Sequence, residues 1–461
     1  MMKPQEEIAT PVRKSPWPTF WIASVAIFMV TLDTTAIIVA FPVLRQAFQG
    51  EALTTLSWTL NAYTIAYAAL LVPAGRWADL AGRKRAFYLG LTLFCMASLG
   101  CALSPGIYWL IGARALQATG AAILTPSGLA LVLATFPKEA RGGIVGLFGA
   151  VGALAAAIGP AFGSWLIAIA GWHWIFLINL PIGLITGLVG RQLLRENSSP
   201  ETGAPFDYLG TLLLAAGTAA LTYSVVLAHD SNAIAPLSLA CVGLILLSGF
   251  WVWATDRPHA AMDLTLFKDR TFFWVNMASL SFGIAFSMMF LSAFLFLTQI
   301  WKYPQAQAGL ALTPGPLTVV VTAIVASRFV SRLGYARMIF MGGVVFAIGQ
   351  SLYAMRVSPQ ADYLWIWLPA QIVTGLGIGM VFPGVGAGSV STLTARNFAM
   401  GGGINNALRQ IGGAIGAALA ITLIGKPDAA FHDFQVTFSI IAGLGLLTAM
   451  LSTPSRKKVS N

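Results

Sequence analysis

Gly75-Arg76-Trp77-Ala78-Asp79-Leu80-Ala81-Gly82-Arg83-Lys84-Arg85 and Ser327-Arg328-Phe329-Val330-Ser331-Arg332-Leu333-Gly334-Tyr335-Ala336-Arg337 are two copies of one pattern, with arginine, aromatic residue, glycine and arginine in register. A second correspondence lies at nearly the same offset: Arg114 to Pro126 matches Gln371 to Pro383, and Gly120 falls opposite Gly377. Two matches in the same order mark a duplicated half. The copies differ where charge is concerned, because Ser331 replaces Asp79 and Gln371 replaces Arg114. The ionic machinery is concentrated in the first half.

With 57% hydrophobic and 9% charged residues over 461 positions, the composition excludes a water-soluble domain. A helix needs roughly 20 apolar residues to cross the hydrocarbon core. Fourteen such segments follow one another, at about 18–41, 57–74, 86–104, 108–135, 143–170, 174–194, 207–228, 235–254, 272–299, 308–330, 336–356, 363–393, 401–425 and 434–453. The expected fold is all-α and membrane-embedded. Residues 1–195 form one six-helix bundle, 196–271 two inserted linker helices and 272–461 a second six-helix bundle.

The formal charge of +11 would suggest nucleic acid in a soluble protein, but here the basic residues alternate from loop to loop. That alternation is the signature of loops retained on the cytoplasmic side. With both termini in the cytoplasm, 21 of 27 lysines and arginines lie inside, and only Arg45, Lys302, Arg356 and Lys426 lie outside. The expected location is therefore a bacterial inner membrane, with lipid rather than nucleic acid against the basic loops. Segment 1 is as long as a full span, so it is expected to stay as a helix rather than be cleaved. Cys95, Cys101 and Cys241 lie in apolar segments and the four histidines are scattered, which points to no disulfide, metal or other cofactor.

Of sixteen carboxylates, Asp33 is the one in the middle of an apolar segment; Arg114 and Arg409 are the two arginines so placed. An ionised group at a helix centre costs about 2.5–3.5 kcal/mol even on lenient scales, so each needs a partner or a use. Asp33 and Arg114 are candidates for an intramembrane pair. Burial opposes ionisation of such a carboxyl and a guanidinium favours it, a balance that suits a proton carrier. Arg409, beside Asn405, Asn406 and Gln410, either lines the space between the halves or snorkels to the cytoplasmic edge. Thr34, Asn61, Tyr63, Gln117, Phe290 and Arg409 form a candidate substrate-contacting set, in which aromatic faces would stack on flat lipophilic molecules.

Gly75, Gly82 and the cluster Arg83, Lys84 and Arg85 are expected to make a tight cytoplasmic turn, where Asp79 can meet a helix N-terminus or an arginine and latch the halves together. Gly146, Gly149, Gly152, Gly159 and Gly163 put a small-residue face on segment 5, and Pro160 predicts a bend there.

These motifs together resemble the major facilitator superfamily, and within it the fourteen-helix drug:proton antiporter family, over nearly the whole length. The resemblance rests on Leu32-Asp33-Thr34-Thr35 with Ala40-Phe41-Pro42, on Trp58 to Tyr63 around Asn61, on the loop 75–85 and on Arg114 to Gly120. It continues through Gly152, Gly159-Pro160-Ala161-Phe162-Gly163, Trp172 to Gly183, Phe206-Asp207-Tyr208-Leu209-Gly210 and Arg409 to Gly413. Ile38, Ala118, Ser164 and His173 stand where that family usually has asparagine, glycine, glycine and arginine. The resemblance implies efflux of lipophilic compounds against protons by alternating access, with Asp33 and Arg114 coupling the proton. It also implies that Gly152, Gly159, Pro160 and Gly163 mark exporters and help hold the cavity closed against leak.

No histidine cluster, metal spacing or serine triad suggests an enzyme, and a lone buried acid suits alternating access better than a lined pore. A dedicated metabolite or natural-product exporter, or an uptake symporter on the same fold, is the main alternative. One carboxylate against two arginines in the spans disfavours dications and leaves monovalent lipophilic cations, neutral amphiphiles and weak anions open. Each chain holds both halves, so a monomer is expected.

Overall fold

A computed structural model describes residues 15–196, 206–227, 234–255, 257, 260–394, 397–424 and 430–453. Fourteen helical spans follow in order: α1 Trp17–Ala47, α2 Leu53–Ala81, α3 Arg83–Ala102, α4 Ile107–Thr135, α5 Lys138–Ala170, α6 His173–Leu193, α7 Tyr208–Leu227 and α8 Ile234–Thr255. Then come α9 Arg270–Ile300, α10 in two segments, Gln305–Leu312 and Pro314–Leu333, α11 Tyr335–Arg356, α12 Tyr363–Val390, α13 Phe398–Ile424 and α14 Phe431–Ser452. Among the described residues eleven helices are long and apolar enough to cross a membrane; α2, α5 and α7, at 29, 33 and 20 residues, supply the remaining spans by length. Helices are the answer to a solvent that offers no hydrogen bonds, since each span satisfies its own backbone.

The loops are shorter than expected. Gly75 to Ala81 continue α2, and the turn into α3 narrows to Gly82, whose φ of 100° is one that L side chains rarely adopt. Gly334, with φ 81°, makes the same turn between α10 and α11. The breaks inside spans have a chemical cause. Pro181 has no N–H for the carbonyl of Leu177, and α6 is divided there, into His173–Leu177 and Asn179–Leu193. Pro316 likewise leaves the Leu312 carbonyl without its helical donor at the break in α10, and Nε2 of Gln371 donates to it at 2.7 Å.

The duplication is visible in the packing. A methyl group on Gly120 would come within 2.5 Å of the Phe94 backbone N, and one on Gly377 within 2.4 Å of the Phe346 backbone N. Equivalent glycines thus let α4 touch α3 and α12 touch α11. One aromatic and aliphatic core, around Phe87 and Phe94, extends from the first half to Phe272, Phe398 and Met400 of the second, and another lies around Phe282, Phe346 and Trp367 in the second. The inserted pair α7 and α8 is pinned by Asp207, which accepts from the Gly210 and Ala261 backbone N–H groups and from Nε1 of Trp253.

The halves meet at the end that carries Gly82. There a Cβ on Gly75 would lie 2.6 Å from the Ala399 carbonyl oxygen, and Gly143 and Gly146 of α5 abut Ser327 of α10 and Pro383 of α12. On the face of α5 toward α1, Gly159 abuts Thr35 and Gly163 abuts Ala36. The small-residue face therefore seats the helix that carries Asp33. The helix runs through Gly159 and Pro160 without interruption, and the Pro160 side chain lies outside the described residues.

Candidate functional site

Asp33 sits midway along α1 and is 1% exposed. Its Oδ2 accepts from Nη1 of Arg114 at 2.6 Å, and its Oδ1 accepts from Nε2 of Gln117 at 2.9 Å and Nδ2 of Asn179 at 3.0 Å. Four helices contribute, because Ser98 of α3 accepts from both amides, at 2.8 and 3.3 Å, and donates to the Phe94 carbonyl. Arg114 and Gln117 are one turn apart on α4, so both reach the same carboxylate.

Arg114 is held by more than its partner. Nη1 also donates to Oε1 of Gln117 at 2.6 Å, Nε donates to the Thr59 carbonyl at 3.1 Å, and the guanidinium lies 4.3 Å from the Tyr63 ring centroid. A buried ion pair offsets its desolvation only when the remaining donors and acceptors are satisfied, and here most are. Within this cluster the Tyr63 hydroxyl and Oδ1 of Asn179 are buried without a hydrogen-bond partner.

The expected substrate-contacting residues divide. Gln117 and Tyr63 belong to the Asp33 cluster, Thr34 and Asn61 are half-buried, and Phe290 is 47% exposed. Arg409 lies well inside α13, where Nη2 donates to Oδ1 of Asn406. Asn406 in turn donates to the Tyr67 hydroxyl of α2 at 3.3 Å, and Tyr67 donates to Thr125 of α4 at 3.2 Å. Arg409 is thus tied across the interface between the halves.

At the end where the halves meet, Asp79 does both things open to it in the sequence. Its Oδ1 accepts from Nε and Nη2 of Arg83 at 3.0 and 2.8 Å, while Oδ2 accepts from the Met400 backbone N–H at 3.0 Å, in the first turn of α13. Arg83 is 1% exposed and Arg85 is exposed. Glu196 accepts from the backbone N–H groups of Arg83 and Lys84, which caps the start of α3.

The Major Facilitator Superfamily model matches twice, over residues 23–300 and 275–460. This chain belongs to that superfamily. As a facilitator it is a multi-pass membrane transporter and not an enzyme. It is 31% identical over 412 residues to "Multidrug resistance protein B homolog" of Mycobacterium tuberculosis, covering 88% of this chain and 76% of that protein. It is 32% identical over 419 residues to an MdtD of Pectobacterium carotovorum subsp. carotovorum, covering 88% and 86%. A double-tryptophan mutant of XylE superposes with a TM-score of 0.68 at 13% identity, over 97% of each chain, and shows the fold. In this facilitator the sequence reading missed Ser98 and Asn179 as neighbours of Asp33. Asn179 carried a signal, an amide inside an apolar segment; Ser98, between Ala97 and Leu99, carried none.

Proposed function

We propose that this facilitator exports lipophilic small molecules across a bacterial inner membrane in exchange for protons, as a monomer with both termini in the cytoplasm. The bundles 1–195 and 272–461 rock about a central site, and 196–271 links them. The observation that carries the reading is the Asp33 cluster: a fully buried carboxylate whose cation partner keeps other acceptors, Gln117 and the Thr59 carbonyl, when the carboxylate is neutralised. Asp33 can therefore take up and lose a proton without leaving Arg114 stranded. The Asn179 amide suits both states, since it donates to the carboxylate and, rotated, offers Oδ1 to a protonated carboxyl. The name of the mycobacterial relative supports multidrug compounds as cargo.

In the cycle, Asp33 loads a proton from outside as substrate leaves, the halves rock, and the proton passes to the cytoplasm as new substrate binds. Asp79 with Met400 and Arg83 locks the basic end closed while the other side loads. The glycine face Gly152, Gly159 and Gly163 keeps α1 tight on α5 and limits leak past Asp33. The test is proton release in everted vesicles on addition of lipophilic compounds. Release by wild type that is lost in Asp33→Asn is the expected result. Equal release from both proteins would remove Asp33 from the coupling.

A further inference from the structure

Arg409 has no counterpart of Asp33. Arg83 is paired with Asp79 and Arg114 with Asp33. Asp433, in the first turn of α14, is the sole carboxylate within the described spans α9 to α14. Arg409 stands roughly 16 Å along α13 from Phe398, at 1.5 Å per residue. Only Nη2 of its guanidinium is engaged among the described residues, by the Asn406 side chain, and the group faces the Phe382 ring at 5.7 Å. Phe382 meets Phe286 edge to face at 5.6 Å, and both rings are half-buried. Opposite them, across the interface, stands the Tyr67 hydroxyl.

We propose that Arg409, with Asn406 and Tyr67, is the headgroup subsite for an anionic lipophilic substrate, a small amphiphile with one carboxylate or comparable oxyanion whose apolar body lies on Phe286 and Phe382. The proposal rests on the exporter reading and narrows its cargo. A guanidinium is a planar fork that holds a carboxylate through two parallel bonds; Nη2 of Arg409 carries two N–H groups and gives one to Asn406, so the other, with the parallel N–H of Nε or Nη1 beside it, is the pair left for a carboxylate. Substrate supplies the charge that the protein supplies to Arg114 through Asp33. A cationic headgroup would meet a like charge with no acid beside it. Charge movement follows: one monoanion leaving as one proton enters transfers two elementary charges, whereas a monovalent cation exchanged for a proton transfers none.

The experiment uses everted vesicles with wild type, Arg409→Gln or Arg409→Lys, and three probes on one naphthalene body: a carboxylate, its carboxamide and a trimethylammonium. Accumulation is read above that of vesicles without the protein. Wild type is expected to take up the carboxylate at least tenfold faster than the amide, and to slow when valinomycin and potassium collapse the potential. Arg409→Gln should lose that tenfold preference and Arg409→Lys keep part of it. Carboxylate uptake unchanged in Arg409→Gln would overturn the subsite. Uptake of the ammonium probe alone, with proton release, would overturn the anionic cargo and leave the exporter standing. No proton release and no uptake of any probe by wild type would bring down both.

Discussion

The Asp33–Arg114 pair predicts strong non-additivity between its two neutralising substitutions. Asp33→Asn leaves a 1% exposed guanidinium with Oε1 of Gln117 and the Thr59 carbonyl as acceptors. Arg114→Gln leaves a carboxylate with two amide donors, Gln117 and Asn179. Breaking a buried pair by removing one partner costs about 3–5 kcal/mol, and the retained bonds put each variant near the lower end, about 3 kcal/mol. The double variant buries no charge and places two amides where the pair stood, so it is expected to cost no more than about 2 kcal/mol instead of the additive value of about 6. For a half of roughly 200 residues, about 2–4 °C per kcal/mol converts these to a fall of roughly 6–12 °C for each single variant and at most roughly 8 °C for the double. Thermal unfolding of the detergent-purified protein, followed by circular dichroism, measures all three. A double variant whose Tm falls by the sum of the singles would show that the two charges do not stabilise one another, and the coupling argument would fail with it.

Asp79→Asn removes the charge from both the Arg83 pair and the bond to the Met400 N–H, and a cysteine placed at the buried Ala399 beside them should then label with a maleimide at least tenfold faster; unchanged labelling would show that Asp79 does not hold the halves. Gly163→Ala puts a methyl 2.9 Å from the Ala36 Cβ and 3.1 Å from its Cα, so α1 must move. Proton leak through reconstituted vesicles should rise, whereas Gly149→Ala, with nothing within 4 Å, should leave it unchanged, and equal leak in the two would refute the packing role. Asn179→Leu keeps the branched skeleton of the side chain and removes both the donor to Asp33 and the free Oδ1, so protons released per substrate should fall by half or more. A wild-type ratio in that variant would confine Asn179 to packing.

What the sequence made legible is what a membrane makes unavoidable. Spans must be long and apolar, charges must gather in loops, and Asp33 is conspicuous because a buried carboxylate is costly. The repeat was legible for a different reason: Gly82 and Gly334 are fixed by a left-handed turn, and Gly120 and Gly377 by backbone contact, so neither pair tolerates a side chain. The length of α2 was hidden, because polar residues such as Arg76 and Asp79 lower the hydropathy of a helix that nevertheless continues to Ala81. Partners across helices were hidden as well. No spacing along the chain announces that Asn179 of α6 reaches Asp33 of α1, or that the Met400 N–H meets Asp79, since these contacts span 146 and 321 positions.

The two halves also show what became of the charge after duplication. In the first, Arg114 donates through Nε to the Thr59 carbonyl of α2; in the second, Gln371, at the matching position, donates through Nε2 to the Leu312 carbonyl of α10. The bond between the second and fourth helix of each half is kept, but its donor is charged in one half and neutral in the other. A neutral donor suffices in the second half because the Leu312 carbonyl is already released by Pro316 and needs only one hydrogen bond. In the first half the guanidinium has donors left over, and those donors hold Asp33. The bond that braces each half is thus shared, and a buried ion pair is built on it in the first half. With one carboxylate midway in the apolar segments, the coupling we propose through Asp33 carries one proton per cycle, and the subsite we propose at Arg409 gives the second half its contact with the cargo.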